Sequence, residues 1–134
     1  MNTPVITFIV TLFLLLAIDG IWLNFVIKGF AKKQIGHLMA ETVRLGPVAV
    51  FYPLYAGAIV LLIVLPAIYG EFSAVRVFLS GLLLGLAAYG AYDLTNHATL
   101  KKWPIIMTIV DMAWGSLLTG TAATATFLIV EKYL

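Results

Sequence analysis

Four apolar runs, each long enough to cross a bilayer, govern what this chain can become. They cover residues 5–27, 47–69, 74–98 and 103–130 of a 134-residue chain. A helix needs about 20 apolar residues to span roughly 30 Å of hydrocarbon. In lipid a segment must satisfy its own backbone polar groups, and a helix does so by itself. The composition agrees: 63% of residues are hydrophobic and 10% are charged, against about 25% charged in a soluble domain. A water-facing core of this size has no room for so much apolar surface. The expected fold is an all-α, polytopic membrane protein, a single domain over residues 1–134 built as a bundle of four transmembrane helices. The first run is expected to persist as a span. No Lys or Arg precedes it, it is too long for a secretory leader, and no small-x-small cleavage site follows.

The one sizeable connection covers residues 28–46. Ile35, Leu38, Met39 and Val43 fall on one helical face there, with Lys32, Lys33 and Arg44 free to reach headgroups. That pattern predicts a short interfacial amphipathic helix between spans one and two. The other connections are tight. Gly70-Glu71-Phe72-Ser73 joins spans two and three, and Lys101-Lys102 leads into Trp103-Pro104, where proline suits the first turn of a helix. One side of the bundle carries Lys28, Lys32, Lys33, Arg44, Lys101 and Lys102, and the other only Arg76 and Lys132. By the positive-inside rule the first side is cytoplasmic and both termini lie outside. The net charge of +2 therefore points to topology and not to nucleic acid. The absence of cysteine excludes disulfides and thiolate metal sites.

Half of the six acidic residues, Asp19, Asp93 and Asp111, lie inside the spans. Each costs roughly 2.5–3.5 kcal/mol at the centre of an inserted helix, so such residues are usually functional. Asp19 lies nine residues before Lys28, Asp93 eight before Lys101 and Asp111 nine after Lys102. At 1.5 Å per residue, all three sit about 12–14 Å inside the lysine-rich boundary. Other polar groups accompany them: Asn24 on span one, Tyr52 and Tyr55 on span two, and Tyr89, Asp93, Asn96 and His97 on one face of span three. Asp19-x-x-Trp22 and Asp111-x-x-Trp114 repeat one short pattern on antiparallel spans. Their tryptophans are expected to point away from the aspartate layer on opposite sides. Such side chains can wall a pocket, donate an indole N–H or stack on a ligand.

Several chemistries fit these residues. Asp and Asn can act as helix glue, though a membrane hydrogen bond contributes only about 0.6 kcal/mol on average. No intramembrane Lys or Arg balances the three aspartates, and neighbouring carboxylates without a cation cannot all stay ionised. Asp19, Asp93, Asp111 and His97 form a weak metal-ligand set of hard oxygens and one imidazole, with no close ligand spacing to support it. No nucleophile elbow, phosphate loop or dinucleotide fingerprint is present, so whether the chain is an enzyme stays open, and no cofactor is indicated. Gly81-x-x-x-Gly85 with Ala88 forms a small-residue stripe for close helix contact, within the bundle or between copies in a homo-oligomer. Gly115, Thr119, Gly120 and Thr124 do similar packing work on span four.

The most distinctive run is Tyr92-Asp93-Leu94-Thr95-Asn96-x-Ala98-Thr99-Leu100, then Trp103-Pro104 and Asp111-x-x-Trp114-Gly115. With Asp19-x-x-Trp22 it resembles a bacterial family of small inner-membrane proteins, domain of unknown function 2177, over nearly the whole chain. The resemblance implies a four-span protein of the bacterial inner membrane and implies no activity. The expected function is an acidic intramembrane pocket, open toward the cytoplasm, that binds a lipid-like or other amphiphilic small molecule, with or without modifying it. Membrane lipid and a small ligand are the expected partners. The alternatives are proton-coupled transport by an oligomer and a structural or assembly subunit without a ligand.

Overall fold

A computed structural model describes residues 2–134, and among these every regular element is helical. Helix α1 (Thr3–Ile21) runs into a π turn (Trp22–Val26) and then α2 (Lys28–Ile35), which ends in a 3-10 turn (Gly36–Leu38). Helix α3 (Leu45–Ile59), a second π turn (Val60–Val64) and α4 (Leu65–Gly70) follow one another as a single rod. Helices α5 (Ala74–Thr99) and α6 (Ile105–Tyr133) complete the chain. Four helices able to span a membrane result: Thr3–Val26, Leu45–Gly70, Ala74–Thr99 and Ile105–Tyr133. They match the four apolar runs to within a few residues.

Local chemistry sets the ends of these helices. The Asn2 side chain accepts the Val5 N–H at 3.3 Å, and Pro4 occupies the first turn of α1. Ser73 caps α5 by accepting the Arg76 N–H at 3.2 Å, a satisfaction of end groups that an alanine could not provide. Pro66 cannot donate back to the carbonyl of Leu62, four residues earlier. The π turn just before it absorbs the fault, and the Leu65 N–H reaches the Val60 carbonyl instead.

The spans invert the pattern of a soluble bundle. Phe13 and Leu83 are each 69% exposed and Phe25 83% exposed, a surface that only hydrocarbon tolerates. Inside, Leu15, Ile59, Val64, Val77, Leu118, Ala122, Ala123 and Phe127 form a dry core on the side away from the lysines. Four threonines join that interior: Thr7, Thr11, Thr119 and Thr126 are fully buried. Thr11 Oγ1 lies 2.8 Å from the Thr7 carbonyl and 3.1 Å from Thr126 Oγ1, which links span one to span four.

Spans three and four make the most extensive contact in the molecule. The reason is the glycine stripe. A Cβ at Gly81 would sit 2.6 Å from the Gly120 Cα, and one at Gly85 would sit 2.8 Å from the Ser116 Cα. Backbones can meet so closely only where no side chain intervenes. Gly81 and Gly85 are buried against the chain's own fourth span.

The surface helix also forms, but with a different face from the one expected. Ile27, Ala31 and Ile35 are its buried residues, packed on Trp103 and Met107 at the start of span four. Leu38, Met39 and Val43 are exposed beyond its end. The π turn at 22–26 adds a residue to the phase of the chain, so the apolar seam begins at Ile27. Lys32 and Lys33 stay outward.

Replacing Gly85 with valine should separate spans three and four and lower stability by about 1–3 kcal/mol, the usual cost of overpacking. Denaturant unfolding in mild detergent, followed by circular dichroism, measures this; an unchanged midpoint would contradict the close backbone contact.

Candidate functional site

Asp19 organises the lysine-rich half of the bundle. It is 5% exposed, and its carboxylate is held from two other spans. Trp114 Nε1 of span four donates to Oδ1 at 2.9 Å, and the Tyr52 hydroxyl of span two donates to Oδ2. Both carboxyl oxygens are thereby engaged by donors from other spans. The second Asp-x-x-Trp unit is thus engaged through its tryptophan.

The two tryptophans do not diverge. Trp22 and Trp114 stack with ring centroids 4.2 Å apart and planes 6° from parallel. The expectation of opposed directions overlooked side-chain lean. Every Cα–Cβ bond tilts toward the N-terminus of its helix. On antiparallel spans one and four that tilt brings each tryptophan back over the aspartate layer, where the rings meet.

Asp93 and Asp111 form the other half of the layer. They adjoin each other on spans three and four. Asp93 is fully buried, and neither of its side-chain oxygens has a hydrogen-bond partner. Buried polar groups are rarely left so. Asp111 is half-buried and faces a cavity of about 440 Å³.

All four spans line that cavity: Asp19 from span one, Phe51 and Tyr52 from span two, Ala88, Tyr89 and Tyr92 from span three, and Asp111 from span four. It lies where α3 packs on α1 and makes little contact with α5. Phe51 and Tyr92 at its edge are 39% and 53% exposed, toward the surroundings of the bundle. The Trp22–Trp114 stack bridges the apolar core and the cluster of Ile27, Ala31, Ile35, Trp103 and Met107.

The remaining polar residues divide. Tyr89 lines the cavity, and its ring lies over Gly115, where any Cβ would collide with it. Tyr55 is buried one layer deeper and shares a hydrogen bond with Thr119; its ring meets that of Tyr89 edge-on at 6.3 Å. Asn96 lies beside the Tyr92 hydroxyl. His97 is turned away, with Nδ1 3.4 Å from Thr108 Oγ1, which also accepts the Trp103 indole N–H at 2.9 Å. Asn24 stays outside the layer: it is exposed, and its amide donates to the Gly20 carbonyl of its own helix at 2.7 Å. Among the described residues no group of three or more His, Asp or Glu side chains is arranged to hold a metal ion. No three of the four weak metal candidates form such a group.

The chain matches the family model described as "Predicted membrane protein (DUF2177)" over residues 4–128. It belongs to that family. No curated protein and no solved structure matches it. The DUF2177 match covers every residue of the aspartate layer and of the cavity. Three lining residues of this DUF2177 protein escaped the sequence reading: Phe51, Ala88 and Tyr92. The signal was available for one face, because Ala88, Tyr89 and Tyr92 stand at i, i+1 and i+4 on span three.

Trp114→Phe keeps much of the stack but removes a donor from a buried carboxylate, and should cost about 1–3 kcal/mol. Asn24→Ala, outside the layer, should stay within about 0.5 kcal/mol. Paired unfolding measurements in one detergent check the contrast; equal losses would mean that the Asp19 bonds are not what ties the spans.

Proposed function

We propose that this protein is a membrane-embedded binding protein whose cavity takes a lipid-like or other amphiphilic small molecule. The observation that carries the reading is the cavity itself. Four spans contribute carboxylates, tyrosines and apolar surface to one space of about 440 Å³, within the range of about 300–1,000 Å³ usual for small-ligand sites. Polar groups at one end and hydrocarbon at the mouth match the two ends of an amphiphile. Asp19, Asp111 and Tyr89 form the polar floor in this reading, and Phe51 and Tyr92 flank the tail.

Native mass spectrometry of the protein, extracted in mild detergent, should show a bound small molecule. Asp19→Asn and Asp111→Asn should each lose it while remaining helical. Identical adducts on all three proteins, or none on any, would contradict the proposal.

We also propose that the lysine-rich end faces the cytoplasm of a bacterial inner membrane, with both termini outside. The six-to-two distribution of Lys and Arg supports this orientation. The chain has no cysteine, so single-cysteine labelling reads out cleanly. A membrane-impermeant maleimide should label Glu71→Cys in cells with a permeabilised outer membrane, and Lys33→Cys only after lysis. The reverse pattern would invert the topology.

A further inference from the structure

We infer that the cavity selects amphiphiles whose head carries a positive charge and no negative one, and that they reach it sideways from the bilayer, between spans two and three. This inference rests on the binding reading above and specifies its ligand.

The charge preference follows from what faces the cavity. Asp19 and Asp111 are its charged lining residues, and no Lys, Arg or His joins them. Asp19 is already fixed by two donors, Trp114 Nε1 and the Tyr52 hydroxyl. Both of its oxygens therefore accept already, and neither needs a donor from a ligand. Behind Asp111 lies Asp93, fully buried, with both oxygens unpartnered. An arriving cation would lower the electrostatic cost of that pair, whereas an anion would meet carboxylates in a medium where like charges repel strongly. The rings of Phe51, Tyr52, Tyr89 and Tyr92 surround the same space, and aromatic faces attract ammonium groups, quaternary ones included.

The route follows from packing. Helix α3 leans on α1 and leaves α5, and the gap is edged by the exposed Phe51 and Tyr92. The apolar core packs against Tyr52, Ala88 and Tyr89 of the lining. A tail left in the gap would lie among acyl chains, while the head sits roughly 12–14 Å below the lysine-rich boundary.

The test uses the full chain in phosphatidylcholine nanodiscs, with tryptophan fluorescence as readout. 2-Bromododecyl-trimethylammonium should quench in a saturable manner, because a head held beside Asp19 brings the bromine within reach of Trp114, whose Nε1 lies 2.9 Å from Asp19 Oδ1. 2-Bromododecyl maltoside and 2-bromododecyl sulfate should show only the linear quenching of free partition. Asp111→Asn should weaken the saturable component by at least about 30-fold, the loss expected when one partner of a buried charge pair is removed. Ala88→Phe, which fills the cavity and leaves the carboxylates intact, should abolish it and decides the matter if the first variant does not fold. Adding a two-chain trimethylammonium lipid to the discs separates the sources: competition assigns the head to a membrane lipid, and its failure assigns it to a single-chain amphiphile. If the maltoside saturates as tightly as the ammonium, the charge selection is wrong and the binding reading survives. If no amphiphile saturates, the binding reading itself falls. If both variants bind like the unaltered protein, the site lies elsewhere.

Discussion

The bundle depends on one buried carboxyl group. Asp19 draws a tyrosine from span two and an indole from span four onto its two oxygens. A buried polar group is tolerated only when its acceptor positions are filled, so these two donors are conditions for the fold and not additions to it. The tie fixes spans one, two and four at one level. Span three is fixed differently, by glycines that let its backbone touch that of span four. The edge between spans two and three has neither device along α3, and that is where the cavity lies. Charge pairing and backbone contact thus decide together which edge of the bundle stays loose.

Much of this was legible before any coordinates. Run length located the spans, and distance from the flanking lysines put the aspartates at one depth, because helix rise is nearly constant. The same arithmetic failed for direction. Spacing along the chain says which face Trp22 and Trp114 occupy but not that their side chains lean backward into each other. Three of the buried threonines were missed for a different reason. Thr7, Thr11 and Thr126 look ambivalent on any hydropathy scale, yet a hydroxyl bonded to its own helix can be buried at little cost. Thr7 Oγ1 donates to the Thr3 carbonyl at 2.7 Å in this way. The glycine stripe was recognised as a contact surface, but nothing in a sequence distinguishes a contact within the chain from one between copies.

Three carboxyls in one layer do three different things. Asp19 is saturated by donors, Asp111 borders open space, and Asp93 is enclosed without a donor. The same residue type serves as anchor, wall and uncompensated group because its neighbours differ, not because its depth does. His97 and Asn24 illustrate the converse: both stand at suitable positions in the sequence, and both find partners outside the layer. A polar residue in a membrane helix bonds to whatever is nearest, including its own backbone, and proximity along the sequence does not predict the choice.

The π turn at Trp22–Val26 has a consequence for insertions and deletions in this chain. Such a turn holds one residue more than a regular α-helix needs. Removing a residue from it would leave α1 and the Asp19 face untouched and could restore uninterrupted helical bonding. Everything after it would then swing by about 100° around the helix axis. Ile27, Ala31 and Ile35 would leave Trp103 and Met107, and the lysines of α2 would turn to face the bundle. A length change that looks silent in the span itself would thus be read out where α2 meets the start of span four.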